Sequence, residues 1–313
     1  MSQTPRYTFS PKMTEEEANQ LMGTYAEEKH FSTVINDDCD AYSEKGEPLF
    51  FFRKNKIPPK ICKDAYIGLK PAAVISENRG NAAGPLAYAD GATGVNDAAN
   101  NVQLNDRRFR VVKQDGTLSK VSRAKKVRSG IAGYFDRNVR FPYCRQTQYT
   151  EQHLEKFAKG VPMLKYISKM YEQACPERYA QHKEVVDRTS SDFVITDTVF
   201  TTVTINKNFQ TAYHKDAGDL ECGLGNLAVL SAGSYEGGYT VMPRWDVAFD
   251  LSSGDVCFFD VHEVHGNTAM TSKRPFERIS IVCYYRKHMV HCGTIKEELE
   301  RAKNRKEGDK INT

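Results

Sequence analysis

The run Gly254-Asp-Val-Cys-Phe-Phe-Asp-Val-His-Glu-Val-His-Gly-Asn267 decides how the C-terminal third is read. Its first half is apolar, lacks helical spacing and opens on a Gly-Asp turn, the pattern of a buried strand. Its second half carries His262 and His265, which are three apart and so cannot share one strand face. Working outward, short β-rich runs recur at 193–196, 199–206, 211–214, 227–231, 239–242, 247–250, 256–260 and 277–286, with glycines such as Gly223, Gly233 and Gly237 between them. Many short strands at close spacing predict a sandwich or barrel.

The period before this region is helical. Leu154, Phe157, Leu164, Ile167, Tyr171 and Ala174 form one stripe over 150–186, which Pro162 and Pro176 are expected to divide. Near the N-terminus, Thr14 followed by Glu17 is a capping box, and a helix is expected from there to about Glu28. A strand is expected at 48–52, a helix at 58–69, a long Ala/Gly/Asn-rich loop at 77–101 and a surface helix at 294–303. One integrated α+β domain results: an N-terminal α/β extension (1–76), a loop and basic segment (77–149), supporting helices (150–191), a β-rich catalytic core (192–288) and a tail helix (289–313).

Composition narrows the function classes. The 313 residues are 40% hydrophobic and 27% charged, with mean hydropathy −0.59, which is ordinary for a globular chain and excludes a bundle of spanning helices. Residues 1–14 lack the apolar core of a secretory signal. The eight cysteines form no Cys-x-x-Cys pair, so they read as reduced thiols of an intracellular protein, nuclear in a eukaryote and cytoplasmic in a bacterium or phage. The net charge of +4 hides an asymmetry: Arg107 to Arg145 carries +10, leaving −6 elsewhere. Such a segment, in which Arg123, Lys125, Lys126 and Arg128 are densest and aromatic residues are interleaved, suits a polyanion such as DNA; it also reads as a solvated loop.

The chemistry-bearing residues lie in the β-rich part. His214 and Asp216, two apart at the end of an expected strand, face the same side and can hold one metal ion. With one further histidine they make a two-histidine, one-carboxylate set that leaves positions open on iron(II). Spacing leaves His262 and His265 both open as the third ligand. In jelly-roll oxygenases the closing histidine follows a Gly-Asp strand and precedes a glycine; His265-Gly266 resembles that pattern, which favours His265 and makes His262 a supporting residue. Arg278 and Ser280 share a strand face, and a guanidinium beside a hydroxyl suits the distal carboxylate of 2-oxoglutarate.

The runs 200–206, 211–219, 233–238, 254–268 and 278–285, together with Arg79-Gly-Asn-Ala-Ala-Gly-Pro85 and Phe141-Pro-Tyr-Cys-Arg145, resemble the TET/JBP family of iron(II)- and 2-oxoglutarate-dependent DNA base dioxygenases. The resemblance is to compact base J and phage members, because the cysteine-rich region and long insert of the animal enzymes are missing. It implies a double-stranded β-helix (jelly roll) with helices packed outside it. It maps His214, Asp216 and His265 onto the iron ligands and Arg278 onto the co-substrate arginine. It implies dioxygen as second co-substrate and a DNA base flipped into the pocket. Ascorbate, used by an algal branch, stays open as co-substrate, although Arg278 and Ser280 favour 2-oxoglutarate. The expected reaction is hydroxylation of a 5-methylpyrimidine, 5-methylcytosine ahead of thymine, with Arg79 and Asp219 as candidate substrate contacts. The alternatives are an oxygenase acting on a protein or small molecule, and a cupin-like metal- or DNA-binding module without turnover.

Overall fold

Phe50, Phe51 and Phe52 are consecutive in the strand Pro48–Arg53, and all three are fully buried. Successive strand side chains point to opposite faces, so this strand must be covered on both sides. A computed structural model shows how. It describes residues 4–85 and 125–304 in full and, between them, the backbone of the strands Leu86–Ala87, Thr93–Gly94, Val102–Asn105, Arg108–Val112 and Leu118–Arg123.

Phe51 packs in one apolar cluster with Leu164, Ile167 and Tyr171 of the helix Leu154–Ala174, while Phe50 and Phe52 join Met242, Val247 and Phe249 of a second sheet. Each such ring contributes about 1.5–3 kcal/mol by leaving water. The large sheet continues from Pro48–Arg53 through Val256–Phe259, Gly225–Ala232, Glu277–Tyr284 and Thr202–Lys207 to Val127–Phe135, antiparallel at each step. The small sheet runs in the order Gly266–Asn267, Thr240–Met242, Val247–Phe249, Thr33–Ile35. The result is a mixed α/β architecture with helices on one face of the large sheet and the small sheet on the other.

Several local expectations need correction. Pro162 lies inside the helix Leu154–Ala174 and does not divide it; Phe157, Met163 and Leu164 are buried on either side of it, and that packing outweighs one lost backbone bond. Leu154, placed on the apolar stripe, is 60% exposed at the helix start. The capping box forms, with Thr14 N donating to Glu17 Oε2 at 2.7 Å, but the helix ends at Gln20 because the next residues turn to pair with the site: Gly23 N donates to Tyr213 O at 2.8 Å. Residues 191–193 form a 3-10 turn where a strand was expected to begin, and 211–214 joins its neighbour through a single bridge, with no full strand.

The cysteines are corrected too. Cys144 and Cys292, 148 residues apart, are disulfide-bonded with Cα atoms 5.8 Å apart, and the other six are free thiols. A pairing across that separation leaves no spacing signal in the sequence.

Candidate active site

The site is built on backbone bonds between two segments distant in sequence. His214 N donates to His265 O at 2.9 Å, His265 N returns a bond to His214 O at 3.0 Å, and Asn267 N donates to Thr211 O at 2.7 Å. Gly266 permits this approach: a Cβ there would sit 2.9 Å from Tyr213 N. Asp216 N donates to Val261 O at 3.0 Å, which carries its carboxylate to the same place.

The side chains then converge. His214 Nε2 lies 3.6 Å from Asp216 Oδ1, and His265 Nε2 lies 3.7 Å from Asp216 Oδ2. One ligand atom from each residue falls within 4.8 Å of the others. The Nδ1–H of His214 donates to Ala212 O at 2.8 Å and that of His265 to Glu263 O at 3.0 Å, so both Nε2 lone pairs face the shared point. Burial, with the His214 ring beside it, pushes the His265 imidazole down to about 4, which keeps it neutral and available to a cation. His262 is turned to another task. Its Nδ1 lies 3.1 Å from Asp260 Oδ1, and that hydrogen bond holds the imidazole above its ordinary value.

The cluster borders a cavity of about 560 Å3. Asp219, Arg79, Ser280, Tyr284, Asn206 and Arg286 also line it. Burial, then the neighbouring Asp216, pushes the Asp219 carboxyl well up. Arg79 Nε donates to Ser129 Oγ at 2.6 Å, so this arginine is anchored on the strand Val127–Phe135. Arg278 is 3% exposed; its Nη2 donates to Gly238 O at 3.1 Å and its Nε finds no hydrogen-bond partner among the described residues.

The basic residues singled out in the sequence are dispersed. Lys125 bonds to the Tyr25 hydroxyl, Lys126 is exposed 3.8 Å from Glu77, and Arg128 is exposed; the cavity wall includes none of them. The Arg123 side chain lies outside the described residues. Among the cavity residues that the sequence did not single out are Asn81 and Arg286. Asn81, beside Arg79 in sequence, has a buried Oδ1 without a partner among the described residues, and Arg286 lies two residues past Tyr284.

Residues 130–287 match the Tet_JBP family, described as the oxygenase domain of the 2OGFeDO superfamily. The chain belongs to this family. The Leishmania infantum bifunctional helicase and thymine dioxygenase JBP2 is 37% identical over 161 residues, covering 50% of this chain and 14% of that protein. The Trypanosoma brucei brucei thymine dioxygenase JBP1 is 37% identical over 185 residues, 57% of this chain and 22% of that protein. The match therefore covers under a quarter of those longer relatives. Among solved structures, NgTET1 in complex with 5mC DNA covers 94% of this Tet_JBP chain and all of its own at 13% identity, with a TM-score of 0.56, a likeness of fold.

Membership in the 2OGFeDO superfamily implies iron(II) and 2-oxoglutarate, and this chain's residues fit both. Two imidazoles and one carboxylate are the donor set of a ferrous facial site. The buried Arg278 guanidinium, with an unpartnered Nε, suits a carboxylate; it sits behind the cavity wall, which its strand neighbour Ser280 reaches and Arg278 does not. Among the described residues, no helix is long and apolar enough to cross a membrane.

Proposed function

We propose that this chain hydroxylates the 5-methyl group of a pyrimidine base in DNA, consuming 2-oxoglutarate and dioxygen and releasing succinate and carbon dioxide. The observation that carries the proposal is the convergence of His214, Asp216 and His265 on one point at the wall of a cavity of about 560 Å3. In this reading those three hold iron(II), Arg278 pairs with the distal carboxylate of 2-oxoglutarate, and Ser280 adds a hydroxyl beside it. When bound, iron(II) would activate dioxygen, the oxidant, with 2-oxoglutarate giving two of the four electrons and the methyl C–H bond the other two. The protein positions and excludes water: the Nδ1 bonds of both histidines fix their tautomers, and Arg79 and Asp219 contact the edge of the flipped base. The two facing sheets act as a double-stranded β-helix over 192–288, and the segment 77–149 lies on the nucleic-acid side. The charged pair offered by Arg278 favours 2-oxoglutarate over ascorbate.

Within the substrate class, thymine stands ahead of 5-methylcytosine, reversing the order expected from sequence. The relatives at 37% identity are named thymine dioxygenases. Mass spectrometry of nucleosides after incubation with methylated and unmethylated DNA tests this, run beside a succinate assay. The expected result is 5-hydroxymethyluracil from both DNAs, dependent on iron and 2-oxoglutarate. Hydroxymethylcytosine alone would reverse the preference for thymine. Succinate formation with no modified nucleoside would move the substrate away from DNA.

A further inference from the structure

Five side chains stack in alternation outward from the cavity wall. The Arg286 guanidinium lies 5.3 Å from the Phe135 ring; Arg145 lies 4.8 Å from Phe135 on one side and 4.1 Å from Phe141 on the other; Arg140 lies 5.2 Å from Phe141. Arg286 lines the cavity, and Arg140 is exposed at the tip of a turn closed by Asn138 N to Phe141 O at 2.8 Å and Phe141 N to Asn138 O at 3.0 Å. Val139, at the same tip, is 81% exposed. The turn is fastened at its base, where Arg137 pairs with the buried Glu298 and Cys144 is bonded to Cys292.

We infer that this arginine–aromatic ladder is the surface on which duplex DNA lies beside the flipped base, with Arg145 and Arg140 meeting backbone phosphates. The inference rests on the DNA reading above and names the surface for it. Charge supports DNA as the occupant. The carboxylate within the ladder is the buried Asp136, which takes the Arg286 Nε–H at 2.8 Å and also acts on Arg145, so one carboxylate faces two guanidiniums there, and Arg140 forms no ion pair with a carboxylate side chain among the described residues. A guanidinium held over a ring face can still offer N–H groups to phosphate oxygens, and it loses little side-chain freedom on binding. The ladder is distinct from the 123–128 stretch, where Lys125 and Lys126 already face Tyr25 and Glu77.

The test is fluorescence anisotropy of a short thymine-containing duplex across a salt series, with the intact chain and with Arg140→Glu, an exposed position that carries no core packing. Arg145→Lys is the second variant, keeping the charge but losing the planar stack. Each phosphate contact adds about 0.9 to the slope of log affinity against log salt. Arg140→Glu is expected to flatten that slope by about 1 and to weaken binding roughly tenfold at low salt. Arg145→Lys is expected to weaken binding with the slope nearly kept. A wild-type slope and affinity in Arg140→Glu would overturn the ladder while leaving the DNA reading standing. An intact chain that binds no DNA while still decarboxylating 2-oxoglutarate would overturn the DNA reading and the ladder with it.

Discussion

The three proposed metal ligands line the cavity and the arginine–aromatic ladder reaches it through Arg286, but the two are held by different forces. His214 and His265 are locked by reciprocal backbone hydrogen bonds, and each ring is fixed again through its Nδ1. The ladder is positioned by side chains stacking on side chains, on a turn tied down at its base by an ion pair and a disulfide. Backbone-held groups keep their geometry when neighbours change, so function there fails only when a ligand is removed. A stacked series loses function by degrees.

The largest effect expected is at the cluster. Asp216→Ala should abolish iron-dependent conversion of 2-oxoglutarate to succinate, beyond the ~10–100-fold that loss of an outer partner of a ligand costs. Succinate release surviving in that variant would undo the assigned triad. Next comes the fastening of the ladder. Cys144→Ser, which opens a linkage between residues 148 apart, should lower unfolding stability by about 2–4 kcal/mol in denaturant titration and weaken DNA binding. Uncoupled 2-oxoglutarate turnover should persist at a temperature where the variant is folded; its loss there would show that the two regions are not held independently.

Arg278→Lys should raise the KM for 2-oxoglutarate roughly tenfold, because an ammonium cannot make the bidentate pair, while iron affinity measured by titration stays level. An unchanged KM would place the co-substrate elsewhere. The smallest effect concerns Asp260 and His262. His262 is raised by its bond to Asp260, so its contribution is complete below its unfolded value of about 6.5 and fades as pH climbs through the folded one. For Asp260, burial pushes the carboxyl up, but the two His262 hydrogen bonds outweigh it and leave it lowered; its contribution is complete above about 3.9 and fades on acidification. His262→Gln should therefore reduce unfolding stability more at about pH 5.5 than at about pH 8.5, by less than about 1 kcal/mol in a partly exposed pair, as denaturant titration at the two pH values would show. An equal loss at both values would show that the pair is not ionic.

What the sequence could disclose follows from how local each cause is. The Thr14–Glu17 box is written in four residues, and the glycine after His265 marks a backbone approach that a side chain would block. Arg278 and Ser280 share a face because the strand Glu277–Tyr284 alternates. The histidine ambiguity could not be resolved by spacing, since the choice depends on Asp260 capturing His262 through a tight turn. The Cys144–Cys292 bond and the ladder were hidden for another reason. Each joins chain segments that meet only after the sheets are assembled: the basic, aromatic-rich run 107–145 contains Arg140, Arg145, Phe135 and Phe141, but nothing local brings Arg286 to them.

The reciprocal bridge between His214 and His265 means that backbone hydrogen bonds share the entropic cost of bringing both imidazoles together, so that cost does not fall on a cation alone. Chelation should therefore leave far-ultraviolet circular dichroism unchanged, and reloading with ferrous ion should proceed without a refolding phase. Iron held by His214, Asp216 and His265 would then be a guest of a frame that the two sheets supply, and its retention would follow the free metal pool and not the lifetime of the fold.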